Sequence, residues 1–184
     1  MRNGRDRRKW TWDLWKALMS YAMLEPKFIE NGSCMSWEQI ASDFAWDGSW
    51  RDIYVLNTSE ADWQAVWDIL LEWTPPASFS VSGKIESMPL GVEAALESET
   101  DSLLSFYVGP IQLACHFFSA VEIEFDFDPR QVSGETEIEQ LDRFMRLPGD
   151  ATGKQVILTQ ENDQEAIIAR YSPDLETVVW PAFS

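Results

Sequence analysis

The segment from Val121 to Asp128 constrains the fold more than any other part of the chain, because it reads V-E-I-E-F-D-F-D. Apolar and acidic residues alternate with period two, which in a β-strand separates them onto opposite faces. The apolar face consists of Val121, Ile123, Phe125 and Phe127, and the acidic face of Glu122, Glu124, Asp126 and Asp128. The sequence therefore predicts a strand with a buried apolar face and a row of carboxylates opposite it.

This row of acids has three interpretations: a solvated face, protection of a sheet edge against aggregation, or a surface that recognises a basic partner. Carboxylates about 7 Å apart repel each other by only about 0.6 kcal/mol in water, whereas burying each apolar side chain contributes about 1.5–3 kcal/mol. The strand therefore forms whether or not the acids have a function. Side chains two apart on a strand do not converge on one ion, so neither a metal site nor a cofactor is expected.

The clearest helix follows residue 58. Thr58 or Ser59 can cap it, and one apolar face is formed by Trp63, Val66, Trp67, Leu70 and Trp73. The pair Pro75-Pro76 is predicted to stop this helix. A second long helix is predicted over 135–147, ended by Pro148-Gly149.

The remaining patterns are mostly short strands separated by turn signals, with one short helix over 91–97. Strands are predicted at 44–46, 52–56, 79–81, 103–108, 111–118, 121–127, 155–159, 166–171 and 177–180. This arrangement predicts an α+β fold: an antiparallel sheet, or sheets, with two principal helices packed on it.

The N-terminal residues have a different character. Residues 1–27 hold seven bases and three acids, whereas residues 28–184 hold seven bases and 28 acids. We predict a basic, Trp-rich extension and linker over 1–34, with a helix over 10–24, and a single acidic domain over 35–184. The helix either packs on the domain or docks on a membrane surface or a partner.

Charge limits the partners that the chain can tolerate. The formal net charge is −17 and the pI is about 4.2. Such a surface repels nucleic acids and anionic lipids and attracts basic proteins, with an attraction that salt weakens. No apolar run reaches the length of about 18 residues that a membrane span needs. The chain has two cysteines, Cys34 and Cys115, whose spacing is not that of a disulfide framework. This favours a reduced, cytoplasmic setting.

Catalytic motifs are absent from the sequence. The only histidine, His116, follows Cys115, and neighbours on a strand point to opposite faces, which opposes a Cys–His nucleophilic pair. One histidine and two distant cysteines also fall short of a zinc site. We therefore predict structural roles for both residues and no enzymatic activity.

The turn before residue 52 concentrates aromatic and charged groups. Trp46, Trp50 and Tyr54 alternate and predict an aromatic strand face, which packs in the core or, if exposed, anchors a partner. Arg51 is a rare cation in an acidic region and is predicted to pair with a nearby carboxylate.

Three stretches resemble small bacterial proteins of unassigned function: GSWRDIYVLNTSEADW (48–63), ACHFFSAVEIEFDFDP (114–129) and KQVILTQENDQEAIIARYSP (154–173). The resemblance covers about 37–173 and implies no catalytic residues. In size and acidity the chain also resembles immunity proteins of bacterial toxin systems, which implies a toxin as partner.

The leading hypothesis is a non-enzymatic, cytoplasmic protein that binds a basic protein, such as a bacterial toxin. The predicted contact residues are Glu122, Glu124, Asp126, Asp128, Trp50 and Tyr54. The alternatives are an enzyme with an unfamiliar carboxylate site, or a structural protein that assembles through its N-terminal helix. The sequence leaves the oligomeric state open.

Overall fold

The structure is a computed structural model that describes residues 36–98 and 101–180. The described part contains four α-helices and nine β-strands, and the predicted helix over 10–24 lies outside it. The helices are α1 Trp37–Ile40, α2 Glu60–Leu71, α3 Glu93–Leu96 and α4 Glu135–Thr152. The strands are β1 Arg51–Leu56, β2 Ser78–Val81, β3 Lys84–Glu86, β4 Ser102–Val108, β5 Ile111–His116, β6 Glu122–Phe127, β7 Val156–Gln160, β8 Asp163–Ser172 and β9 Thr177–Val179.

All nine strands belong to one antiparallel sheet, in the order β3-β2-β4-β5-β6-β1-β7-β8-β9. The predicted combination of helices with an antiparallel sheet is confirmed. Strand β1 leaves sequence order and inserts between β6 and β7. Strand β6 is thus an interior strand, so the interpretation of its acids as protection of a sheet edge is wrong.

The helices cover one face of the sheet, which we call the inner face. Each of the four helices contributes residues to a single apolar core, for example Ile40 from α1, Trp67 from α2, Ala95 from α3 and Phe144 from α4. The ring of Phe144 lies 5.1 Å from that of Phe125 on β6, with their planes nearly perpendicular. We call the opposite face the outer face, and strand alternation assigns every second residue to it.

Helix α2 begins as the sequence predicts. The Ser59 hydroxyl accepts a hydrogen bond from the Asp62 backbone N–H, and the Asp62 carboxylate accepts one from the Ser59 N–H. This reciprocal capping satisfies two backbone donors at the helix start.

Helix α4 is longer than predicted, because it continues through Pro148 and Gly149 to Thr152. The Thr152 hydroxyl donates to the Pro148 carbonyl oxygen at 2.7 Å. Pro148 and Gly149 are both buried, and a side chain at Gly149 would contact the ring of Tyr171. Burial and close packing thus outweigh the local tendency of Pro-Gly to end a helix.

Two predicted strand features are also wrong. Residues 44–46 form no strand, since Ala41–Phe44 is a 3-10 helix whose Phe44 ring packs 6.5 Å from that of Phe127. Val121 is 64% exposed rather than buried. It lies in a turn, where its carbonyl accepts from the Thr58 N–H at 2.9 Å and its N–H donates to the Ser119 hydroxyl.

The predicted pairing of Arg51 is confirmed. Its side chain is buried and lies 3.5 Å from the Asp47 carboxylate. It also donates to the carbonyl oxygens of Asp43 at 2.7 Å and Trp50 at 2.8 Å. These bonds hold the segment that precedes β1 against the sheet. No described helix is both long enough and apolar enough to cross a lipid bilayer.

Candidate functional site

Four carboxylates gather at the centre of the outer face, and we call Asp52, Glu122, Glu124 and Asp126 the acidic cluster. The last three come from β6, and Asp52 comes from β1, directly opposite Asp126. The inward neighbours Ile123 and Phe125 are fully buried, which fixes the acids on the outer face. The sequence therefore predicted the row on β6 correctly, but Asp52 was not among its candidates.

His116 on β5 joins the cluster by reaching diagonally across the strand pair. It is opposite Glu124 in register, yet its Nε2 lies 2.8 Å from Oδ2 of Asp126. The hydrogen bond to Asp126 raises the pKa of His116 above its ordinary value, although partial burial acts against this. The imidazolium form is therefore favoured beside Asp126. The ring of the exposed Phe118 stacks on His116 with a centroid distance of 4.9 Å.

The hydrogen-bonding capacity of the Asp126 carboxylate is only partly used. Its side chain is 19% exposed, and its Oδ1 is buried without a hydrogen-bond partner among the described residues. An unpaired buried carboxylate oxygen costs free energy, about 1–3 kcal/mol or more. The arrangement on β5 and β6 thus leaves one acceptor open.

Asp52 is the most deeply buried member of the cluster. The Tyr54 hydroxyl donates to its Oδ2 at 2.8 Å, and the Asn162 backbone N–H donates to the same oxygen at 2.7 Å. Burial raises the pKa of Asp52, although these two hydrogen bonds lower it. The β7–β8 turn therefore folds over β1 and covers this carboxylate.

Glu124 lies between His116 on β5 and Tyr54 on β1. Burial, followed by the negative charge of Asp52, raises the pKa of Glu124 to about 7, while the charge of His116 acts in the opposite direction. Glu124 forms no ion pair with a Lys or Arg of the described residues. It therefore gains and loses its proton near neutral pH, and His116 is the cationic group that partly offsets its charge.

The two ends of the predicted row behave differently. The Gln164 side-chain amide donates to Glu122 at 3.2 Å. Asp128 lies beyond the end of β6, where Arg130 Nη2 approaches its carboxylate to 2.6 Å and lowers its pKa. Asp128 is thus neutralised by Arg130, and Glu124 is the centre of the uncompensated charge.

The two aromatic candidates occupy different environments. Trp50 is 41% exposed, and its backbone N–H donates to the Glu161 carboxylate. Tyr54 is 3% exposed and its hydroxyl is used by Asp52. Only Trp50 has a surface available for contact in this arrangement, and its role as an anchor stays a prediction.

His116 and Cys115 point to opposite faces, as the sequence predicts. Cys115 is fully buried in the core on the inner face, and burial raises the pKa of its thiol well above the ordinary value. The pair therefore cannot act together as nucleophile and base. The contact of His116 with Asp126 was not predicted, because it depends on the register between two strands.

No protein-family model, curated protein or solved structure matches the chain. The resemblances in sequence and composition described above therefore stay predictions.

Proposed function

We propose that the chain is a non-enzymatic, cytoplasmic protein that binds a basic protein through the outer face of β5, β6 and β1. The observation that supports this is the position of Glu124, a half-buried carboxylate surrounded by further carboxylates and without a Lys or Arg counterion among the described residues. A cationic side chain from a partner fits this environment because it relieves repulsion that the free protein carries.

The cluster also disfavours a purely structural role. Repulsion within it destabilises the free fold, and the buried Oδ1 of Asp126 has no partner in the described chain. Functional surfaces commonly lower stability in this way, because the binding partner supplies the missing interactions. A solvated face needs no such cost, since fully exposed carboxylates retain their water.

Long-range attraction adds to the local fit. Residues 28–184 hold 28 acids against seven bases, so a basic protein is attracted before contact. Exposed Trp50 lies at the end of β1 that leads into the cluster and supplies an apolar anchor at its rim. We propose neutralisation of a basic bacterial toxin as the specific form of this activity. This proposal concerns residues 35–184 and assigns no role to the basic segment 1–34.

The decisive experiment compares two double variants of equal net charge. The first, Glu124→Lys/Asp126→Lys, reverses charge in the cluster. The second, Glu72→Lys/Glu97→Lys, reverses two exposed acids at the C-terminal ends of α2 and α3, where a cation suits the helix dipole. The probe is a fluorescent nine-arginine peptide, followed by anisotropy at about 20 mM and about 150 mM NaCl.

We expect the cluster variant to bind the peptide at least about tenfold more weakly at low salt and to lose most of its salt dependence. The control variant should change affinity by no more than about threefold. Equal losses in both variants would show that total charge, rather than the cluster, governs binding. If the charge reversal prevents folding, Glu124→Gln/Asp126→Asn provides the same comparison with isosteric side chains.

Acid–base catalysis is the second candidate function. It is favoured by the 2.8 Å contact that orients His116 on Asp126 and by the pKa of about 7 at Glu124. Incubation with a cell metabolite extract, followed by mass spectrometry, tests it. Turnover that disappears in Glu124→Gln but persists in Glu72→Gln would favour an enzyme over a binding protein.

A further inference from the structure

A groove of about 410 Å³ lies on the outer face at the end of β1 and the neighbouring β7–β8 hairpin. Its apolar surface comes from Leu56, Ile157 and Ile167. The volume falls in the range of small-molecule sites, and the aliphatic surface suits a short hydrocarbon. The groove adjoins the acidic cluster without including any of its members: Leu56 lies opposite Glu122 in the β1–β6 register, and Ile157 lies opposite Tyr54 in the β1–β7 register.

The charge of this groove is opposite to that of the rest of the molecule. Lys154 and Arg170 line it, and no carboxylate is among its described lining residues. This is unexpected in a chain with 31 acids and 14 Lys and Arg residues. The groove therefore concentrates positive charge beside an apolar surface.

Arg170 is available to a ligand. Arg51, Arg130, Arg143 and Arg146 each lie within 4 Å of a carboxylate, whereas Arg170 forms no ion pair with any described residue. Lys154 makes only a long contact of 3.8 Å with Asp62. Both cations are thus able to turn toward an anion in the groove.

The amide side chains that line the groove form hydrogen bonds to groups other than its two cations. The Gln164 amide is engaged by Glu122, and the Gln155 amide donates to the Ser172 hydroxyl at 3.2 Å. Gln164 thus lines the groove and donates to Glu122, a member of the acidic cluster.

We propose that this groove binds a small anion that carries a short aliphatic tail. Its carboxylate or phosphate head contacts Arg170 and Lys154, and its tail lies on Leu56, Ile157 and Ile167. This site is independent of the proposed binding of a basic protein, because the two surfaces select opposite charges. Either one can fail without the other.

The test uses the full chain and three probes with the same tail: octanoate, octyl phosphate and octan-1-ol. Binding is followed by NMR through the side-chain amide signals of Asn57, Gln155 and Gln164, which line the groove. We expect saturable shifts with octanoate, octyl phosphate or both, up to about 10 mM ligand, and a much weaker response to octan-1-ol. The two anions reveal which head group is preferred.

Arg170→Gln should weaken binding of the anion by about tenfold or more, because a charge-assisted hydrogen bond is lost. The matched control is Arg143→Gln, which removes an exposed cation that pairs with Glu139 on α4. Lys154→Gln is a second variant and should also weaken binding. Equal affinity in Arg170→Gln and Arg143→Gln, equal binding of octan-1-ol, or no saturable shift with either anion would overturn the proposal.

Discussion

Replacement of Glu124 by Gln should make the protein more stable at alkaline pH and leave its stability at acidic pH almost unchanged. Gln is an uncharged isostere of the protonated glutamic acid. In the folded protein the pKa of Glu124 is raised from 4.5 to about 7 by burial and by the charge of Asp52. Folding therefore favours the protonated form of this group.

The sign of the effect follows from linkage. A carboxyl whose pKa is raised on folding contributes stability below its unfolded pKa, and that contribution is lost as the pH rises through the folded pKa. For Glu124 the loss falls between pH 4.5 and about 7. The raised pKa values of His116 and Asp52 act in the same direction.

The magnitude can be worked from the two pKa values. Ionisation of Glu124 between pH 5 and pH 8 costs about 2.5 kcal/mol if the whole difference between 4.5 and about 7 is effective. Glu124 is only half-buried, and screening by solvent reduces this to about 1 kcal/mol. That is a measurable part of a total stability of about 5–15 kcal/mol.

The assay is urea unfolding of the full chain at pH 5 and pH 8, followed by tryptophan fluorescence. Glu124→Gln should exceed the wild type in free energy of unfolding by about 1 kcal/mol at pH 8 and by much less at pH 5. The control, Glu72→Gln, removes an exposed charge remote from the cluster and should show no such dependence on pH. A difference between Glu124→Gln and wild type that is equal at both pH values would refute the reasoning.

Two further predictions concern binding and packing. Affinity for the nine-arginine peptide should rise between pH 6 and pH 8, because Glu124 becomes charged in this range, and Glu124→Gln should reduce this rise in anisotropy titrations. Gly149→Ala should lower the free energy of unfolding by about 1–2 kcal/mol, since an added Cβ would lie 2.6 Å from Cε1 of Tyr171. Gly91→Ala is the control for urea unfolding, because its Cβ would meet only Gln64 at an ordinary 3.8 Å. An unchanged pH profile in Glu124→Gln, or equal stability of the two alanine variants, would contradict these expectations.

The local sequence correctly predicted those helices and strands that are marked by a periodic apolar pattern or by a helix-capping residue. The alternation in β6 placed Ile123, Phe125 and Phe127 in the core, and the structure confirms all three. The spacing of Trp63 and Trp67 predicted the buried face of α2, and Ser59 is one of the two caps that the sequence offered for its start. These succeed because side-chain direction and end capping depend on residues within a few positions of each other.

Where the sequence prediction failed, packing between distant elements opposed the local signal. Pro148-Gly149 indicates a helix end, yet α4 continues because both residues are buried and Gly149 allows Tyr171 to approach. Residues 44–46 gave a strand signal of only three positions. Contacts of Phe44 with Phe127 and Trp180 compete with that signal, and the chain adopts a 3-10 helix instead.

The sequence by itself determined that a row of acids faces away from the core, because period-two alternation is a property of one strand. Only the tertiary structure decided which groups surround that row. Insertion of β1 between β6 and β7 brings Asp52 opposite Asp126, and the β5–β6 register brings His116 within 2.8 Å of it. Strand pairing joins residues far apart in the chain, and apolar burial is not directional, so no local pattern specifies these neighbours.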